Sequence, residues 1–341
     1  MKIGSICLSS NQGLGYLARD FYRNGIIDEV LLQRHPSLIN NPDWFNKDDT
    51  DIPILPGYPF AKKFDTQTKK KAINFLKKIN LLILFEVPFC YEIFSLAKQL
   101  DVKVVMFPMY EITPYPMPCD NFLTNSDLDY EYYKKMYPKA RVDRINIPIP
   151  NEIVWKKRNV AEVFVHNSGN GGTYERNNTN LLLRSMKLVK SPIKLIVRSQ
   201  QPVNGIDDSR VEVVNKSVKF EELWSIGDVF IFPEKFNGLS LPLQEAYASG
   251  MAVMCGKRFP MTEWLPNEIM IPISGYETRN ITNVKFKSAI YNEKSIARTI
   301  DLWYNKSIED LSLSGRQWAL KNNWNSMKPK YISLFEEIIN E

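Results

Sequence analysis

The chain is poor in the residues that most metal and redox sites need. Of its 341 residues, two are histidines, His35 and His166, and four are cysteines, Cys7, Cys90, Cys119 and Cys255. The cysteines stand far apart with no CxxC pair, so they read as free thiols in a reducing compartment and argue against a disulfide-stapled fold. Two separated histidines and no cysteine pair argue against a zinc centre. No window approaches eighteen consecutive apolar residues, so no membrane span is expected. The apolar run that opens the sequence, "MKIGSICLSS", is too short for a secretory leader. These absences together predict a cytoplasmic protein, in which Asn-x-Ser/Thr matches such as "NIT" at Asn280 mean little.

What is present is ordinary globular composition, 44% hydrophobic and 24% charged. The length exceeds one typical core and favours two domains. A formal charge of +6 permits an anionic partner without identifying one. "DLD" at Asp127–Asp129 can hold a metal–diphosphate pair, but it reads better as a solvated turn before the aromatic "YEYY" helix.

Strands and helices alternate along the chain. "KIGSICLSS", "DEVLLQRH", "LLILFEV", "VKVVMFPMY" and "NFLTNSD" read as strands. "LGYLARDFYRNG", "KAINFLKKI" and "CYEIFSLAKQLD" read as helices between them. Continuous Val/Ile/Leu runs separated by helices indicate a parallel sheet covered on both faces. "RINIPIPNEIVWKKRN" reads as a linker, after which the pattern restarts. "AEVFVHNSGNGG" is a strand into a glycine-rich turn, "NTNLLLRSMKLV" a helix, "IKLIVRSQ" a strand, "FEELWSIG" a helix and "DVFIFP" a strand. The last residues, "WALKNNWNSMKPKYISLFEEIINE", carry apolar groups at helical spacings and should pack back on the body. The expected division is 1–155, 156–325 and a C-terminal helix over 326–341.

Three features fall at the carboxyl ends of strands, where open α/β sheets bind ligands. Gly169, Gly171 and Gly172 in "HNSGNGGTYER" let the backbone approach a phosphate, with Arg176 near the helix start to neutralise it. Arg198 ends a strand and would point into the crevice. In "NGLSLPLQEAYASG" the amides of Gly238, Leu239 and Ser240 can form an anion nest, and Glu245 can accept both hydroxyls of a ribose. Each has a plain alternative: a flexible turn, a surface ion pair, and a carboxylate placed to suit a helix dipole.

"DVFIFPEKFNGLSLPLQEAYASGMAVM" resembles the signature region of retaining glycosyltransferases of the GT-B fold, the large "group 1" family related to glycogen and sucrose synthases. Gly238, Leu239, Leu241, Pro242, Glu245, Ala246, Ala248 and Gly250 match its pattern at the right spacing, after a strand begun by Asp228. The two-domain rhythm and the returning terminal helix extend the likeness more loosely over the chain. The resemblance implies an α/β fold of two Rossmann-like βαβ domains facing across a cleft, with the active site between them. It implies transfer of a sugar from a nucleotide-diphosphate sugar, UDP-sugar first among them, with retention and without a metal or other cofactor. Glu245 inherits the ribose role, Arg176 and Arg198 would hold the diphosphate, and Gly13 and Gly15 in "NQGLGYLARDF" would lie near the sugar. One position departs: Asn237 stands where the family has its first glutamate, beside the donor sugar. Asn237 can still hydrogen-bond a sugar hydroxyl, but the missing charge keeps open a non-catalytic nucleotide-sugar-binding protein. A dehydrogenase fits less well, because "NQGLGYLA" is not a full GxGxxG.

The first half should bind the acceptor. Glu86 and Glu111 close strands there and either can orient or deprotonate a hydroxyl. Tyr110 and Tyr115 would line an apolar wall for sugars or bases. Lys62 to Lys78 holds seven lysines, Lys69, Lys70 and Lys71 at its centre, against one acid, Asp65. As a functional patch it would suit DNA carrying hydroxymethylated bases, a glycan acceptor or an anionic surface. The Asn-, Lys- and Ile-rich composition is also reminiscent of phage-encoded proteins, which act in a host cytoplasm.

Overall fold

The computed structural model describes residues 1–10, 13–35, 41–45, 51–169, 175–203, 207–216, 218–281 and 284–341, except for the side chains of 42, 221 and 281. The chain forms two compact units. Unit 1 comprises 1–148, 281–284 and 324–341, and unit 2 comprises 149–280 and 285–323.

Unit 1 is built on strands β1 (Ile3–Leu8), β2 (Glu29–Gln33), β3 (Asp51–Ile52), β5 (Leu81–Phe85), β7 (Lys103–Phe107), β8 (Asn121–Thr124) and β9 (Arg141–Arg144). They lie in the order β3-β2-β1-β5-β7-β8-β9 and every neighbouring pair is parallel. A small parallel pair, β4 (Phe60–Ala61) with β6 (Phe89–Cys90), stands apart. Helices α1 (Gly13–Arg23), α2 (Thr66–Leu76), α3 (Glu92–Gln99) and α4 (Asp127–Met136) make the crossovers. β1 and β5 are buried along their whole length, which is why β5 is an unbroken apolar run and β1 admits only the small Gly4 and Ser5 among its apolar residues. Gly15 lets α1 sit against the end of β1: a Cβ there would lie 2.0 Å from the Ser10 carbonyl oxygen.

The last helix, α9 (Trp324–Asn340), belongs to unit 1. Trp324, Met327, Tyr331, Leu334, Phe335 and Ile338 fall on one face and are buried. Phe21 of α1 meets Trp324 and Tyr331 edge-on, both at 5.2 Å between ring centres, and the Tyr331 hydroxyl donates to the Asn146 carbonyl at 2.9 Å.

Unit 2 holds β10 (Val163–Gly169), β11 (Lys194–Ser199), β12 (Val211–Val214), β13 (Val229–Phe232) and β14 (Ala252–Cys255) in the parallel order β12-β11-β10-β13-β14. Alternate residues enter two cores. Phe164, Val229, Ile231, Ala252 and Met254 face one, and Val165, Phe230, Phe232, Val253 and Cys255 face the other. Helices α5 (Thr179–Ser185), α6 (Leu241–Ala248), α7 (Glu293–Trp303) and α8 (Glu309–Asn322) complete the unit, with most of a two-stranded sheet of β15 (Gly275–Ile281) and β16 (Val284–Ile290).

Three expectations change. "FEELWSIG" contains only a single 3₁₀ turn, Phe220–Glu222, because Phe220 and Trp224 are its two buried anchors and one turn suffices to bring both inward. An edge strand, β9, stands just before the expected linker and shares only Arg144 with it; its charged sequence masked it. "DLD" is only partly solvated: Ser126 caps α4, and while Asp127 stays half-exposed, Asp129 is buried and accepts from the Tyr110 amide at 2.8 Å. Burial pushes that carboxyl up to about 6. Among the described residues, no helix is long and apolar enough to cross a membrane.

Candidate functional site

In unit 2 the strand order reverses between β10 and β13, so the loops leaving their carboxyl ends border the point where open α/β sheets take ligands. Of the glycine-rich loop after β10, Gly169 is described and adopts φ +56°, whereas Gly171 and Gly172 lie outside the described residues. The loop resumes in a left-handed turn at Glu175 and Asn178, φ +53° and +60°. Asn177 ties it back by donating to the Ser168 carbonyl at 2.8 Å. The Lys235 amide donates to the Arg176 carbonyl at 2.9 Å, joining the two loops across the switch point.

Beneath this junction lies His166, fully buried, with Nδ1 2.9 Å from the Ile231 carbonyl and Nε2 2.8 Å from the Thr179 hydroxyl. A carbonyl only accepts, so Nδ1 carries the hydrogen and Nε2 accepts from Thr179. Burial pushes the imidazole down to about 4, so the ring is neutral at ordinary pH.

The loop after β13 is arranged around one carboxylate. Glu234 is buried and pairs with Arg258 at 3.1 Å. The Ser240 hydroxyl donates to its second oxygen at 3.0 Å. Arg258 also donates to the Asn237 carbonyl at 3.0 Å, and the Tyr291 hydroxyl donates to the Glu234 carbonyl at 2.7 Å. Burial raises the Glu234 carboxyl, while Arg258, Arg176 and hydrogen bonds from Ser240 and Asn237 pull it back down. Arg176 therefore lies within electrostatic reach of Glu234, and its Nε is buried with no partner.

Asn237 belongs to this framework. Its Oδ1 accepts from the amides of Leu239 and Ser240, at 3.0 and 2.9 Å. This corrects the expectation of an anion nest at Gly238, Leu239 and Ser240, since two of those three amides are satisfied within the turn. The same engagement turns the Asn237 side chain inward rather than toward a sugar. Glu245 sits in the second turn of α6, 9% exposed, and the first turn of that helix has no acid. A helix-dipole role at the first turn does not account for it.

Arg198 stands apart from this cluster. Its guanidinium donates to the Leu223 carbonyl and is buried against the 220–223 segment, which lowers its pKa. Asp228, part of the matched signature, accepts the Val163 amide at 2.8 Å and holds β10 to β13. Sequence reasoning missed His166 and Arg258. A cue for Arg258 was present, a charged residue between Gly256 and Pro260 just beyond a strand end.

In unit 1, Gly13 opens α1 and Gly15 packs on Ser10, as above. Glu86 follows β5 in the left-handed region, φ +56°, with its carbonyl accepting from the Thr113 hydroxyl at 2.7 Å. Its charge, after burial, helps raise the Tyr58 phenol, and the His35 ring lies 5.3 Å from Tyr58. Glu111 is completely buried, so it is not presented to an acceptor as expected. Tyr110 is likewise buried, 5% exposed, and only Tyr115, at 45%, offers an open ring, backed by Tyr137 at 5.4 Å. Lys69 pairs with Glu92 at 2.6 Å and Lys71 donates to the Asp51 carbonyl at 2.9 Å, whereas Lys70 is exposed. Among the described residues, no group of three or more His, Cys, Asp or Glu side chains is placed to hold a metal ion.

Two Rossmann-like units, each with its strand order reversing beside the first strand, define the GT-B class of fold. No family model matches the chain, and no curated protein matches it in sequence. Solved structures do match. Sucrose-phosphate synthase from Thermosynechococcus elongatus superposes with a TM-score of 0.64 at 12% identity, covering 100% of this chain and 99% of that one. HepE of Anabaena, solved in complex with UDP and glucose, gives 0.67 at 10% identity over 99% and 100% of the two chains. WaaG, a glycosyltransferase involved in lipopolysaccharide biosynthesis, gives 0.61 at 12% over 96% and 98%. The chain has the GT-B fold of these glycosyltransferases over essentially its full length.

Proposed function

We propose that the chain transfers a sugar from a nucleoside-diphosphate sugar to a hydroxyl acceptor, with retention of configuration and without a metal ion. The observation that carries this reading is the buried, positively charged turn at the switch point of unit 2. There Arg176 and Arg258 surround the single carboxylate of Glu234. Glu245 follows on the next helix, where it would accept the two ribose hydroxyls. The guanidiniums would stabilise the charge that develops on the departing diphosphate, the largest demand of such a step. The acceptor's proton would pass to the leaving phosphate, so no histidine base is needed. The complexes of HepE with UDP and UDP-glucose favour uracil as the base.

On the acceptor side, Glu86 is the carboxylate retained, since Glu111 is enclosed. A glycan acceptor is favoured over DNA because Lys69 and Lys71 are tied to Glu92 and Asp51 within their own unit. If DNA were the acceptor, binding would weaken steeply with salt.

The test is a thermal-shift panel with UDP, GDP, ADP and CMP and their sugar conjugates, with EDTA present throughout. Stabilisation by UDP is expected, and Glu245→Ala should weaken it about ten-fold or more, the loss of a bidentate charge-assisted contact. No stabilisation by any of them would remove the reading. A non-catalytic binder would show the same shift yet release no UDP from UDP-sugar with any acceptor.

A further inference from the structure

The turn from Pro233 to Ser240 keeps one carboxylate where two neighbouring side chains meet. Glu234 supplies it, and Asn237 is joined to it through Ser240, whose hydroxyl donates to the Glu234 carboxylate at 3.0 Å while its amide and that of Leu239 donate to Asn237 Oδ1 at 2.9 and 3.0 Å. Two guanidiniums face the pair. Arg258 makes the 3.1 Å ion pair and Arg176 lies beyond it with a buried, unpartnered Nε. One carboxylate against two guanidiniums leaves a single positive charge in excess, and a buried excess charge is costly until a counter-charge arrives.

We propose that Glu234 and Asn237 act as one unit, with Glu234 as the positioning residue that holds Arg258 in place and requires residue 237 to be uncharged. The inference deepens the reading above, since it rests on that turn receiving the phosphates of the donor. A carboxylate at 237 would face Glu234 with a like charge. It would also cancel the positive excess. Removing the charge of Glu234 alone does the reverse and leaves Arg258 buried without its counter-ion. Combining Glu234→Gln with Asn237→Asp keeps the number of charges and moves the one carboxylate to the other side chain bonded to Ser240.

Shape alone predicts something different. Asp has the outline of Asn and is as good an acceptor for the two turn amides, so on packing grounds Asn237→Asp should be harmless. A charge rule makes it harmful.

The experiment uses the full chain with Asn237→Asp, Glu234→Gln and the double variant. Each is melted alone, with inorganic pyrophosphate and with UDP, and the pyrophosphate Kd is measured by calorimetry. Asn237→Asp should melt lower than the parent and bind pyrophosphate about ten-fold more weakly, the size of one charge-assisted contact. Glu234→Gln should also melt lower, but pyrophosphate should raise its melting temperature by more than it raises the parent's, because the anion replaces the lost charge. The double variant should recover both stability and affinity, to within about two-fold of the parent, a coupling expected of side chains that share one hydrogen-bond network. Parental stability in Asn237→Asp, or a double variant equal to the plain sum of the singles, overturns the proposal. So does a parent chain indifferent to pyrophosphate. Should Glu234→Gln fail to fold, Asn237→Asp and the double variant still decide. If pyrophosphate orders the variants as stated while UDP shifts none of them, the nucleotide reading fails and this one stands.

Discussion

His166 shows how a single residue sets a pH limit for the molecule. Its ring bridges the Ile231 carbonyl and the Thr179 hydroxyl in full burial, and its folded-state pKa is about 4 against an ordinary 6.5. In the unfolded chain the imidazole takes a proton below 6.5, while the folded chain refuses one until about 4. The stabilisation is therefore fully present above 6.5 and is lost as the pH falls from there toward 4. The window corresponds to about 3 kcal/mol. Asp129 works in the opposite sense, since its carboxyl is raised to about 6 and the folded state favours its protonated form as the pH falls below that. The two effects overlap, so the comparison must be between variants rather than along one pH curve. His166→Gln should be less stable than the parent at pH 7.5, and the deficit should shrink or invert by pH 4.5 in urea titrations. An unchanged deficit across that range would mean that the ring's proton is not excluded by the fold.

At the scale of elements, the close approach of α1 to β1 depends on one missing methyl group. Gly15→Ala would place a Cβ 2.0 Å from the Ser10 carbonyl oxygen, a backbone atom that cannot swing away. A cost of about 3 kcal/mol or more is expected, as for overpacking that forces backbone shifts, with a falling urea midpoint as its sign. Alanine at the adjacent half-buried Leu14 or at exposed Gly13 should cost far less. The same contact explains what was legible in the sequence. β5 and β13 announce themselves because both faces of each are buried, so their apolar runs are unbroken. α9 is legible from the spacing of Trp324, Met327, Tyr331, Leu334 and Phe335. The turn from Asn237 to Gly250 is legible because a glycine-containing loop into a helix is a local feature, and Gly250 is fixed by φ +90° and by a Cβ that would fall 2.3 Å from the Lys156 carbonyl. The inner framework of the site is not local. Arg258 meets Glu234 across 24 residues and His166 meets Ile231 across 65, and no pattern of spacing carries such pairings. The inward side chain of Asn237 was hidden for another reason, since a turn asparagine serves its own backbone as readily as a ligand.

On the scale of the whole molecule, the chain leaves unit 1 at residue 148, completes unit 2, and returns to unit 1 at residue 324. Unit 1 therefore needs both ends of the chain. α9 contributes six buried side chains, Trp324 and Tyr331 packing on Phe21 and Tyr331 stacking on Phe107 at 6.2 Å. At roughly 1.5–3 kcal/mol for each large apolar side chain buried, their loss outweighs the stability of an ordinary domain. A fragment of residues 1–148 should then be insoluble or molten, and adding a peptide of residues 324–341 should restore a cooperative transition to at least part of it. Unit 2 is different, because apart from residues 281–284 it is one continuous run, 149–323, with its own sheet and two cores. That fragment should melt cooperatively by circular dichroism. It contains Arg176, Glu234, Asn237, Glu245 and Arg258 together, so it should keep the UDP-induced rise in melting temperature even without unit 1. A fragment that folds but no longer responds to UDP, while the full chain does, would mean that unit 1 supplies part of the nucleotide contact. The assignment of the nucleotide to unit 2 alone would then have to be abandoned.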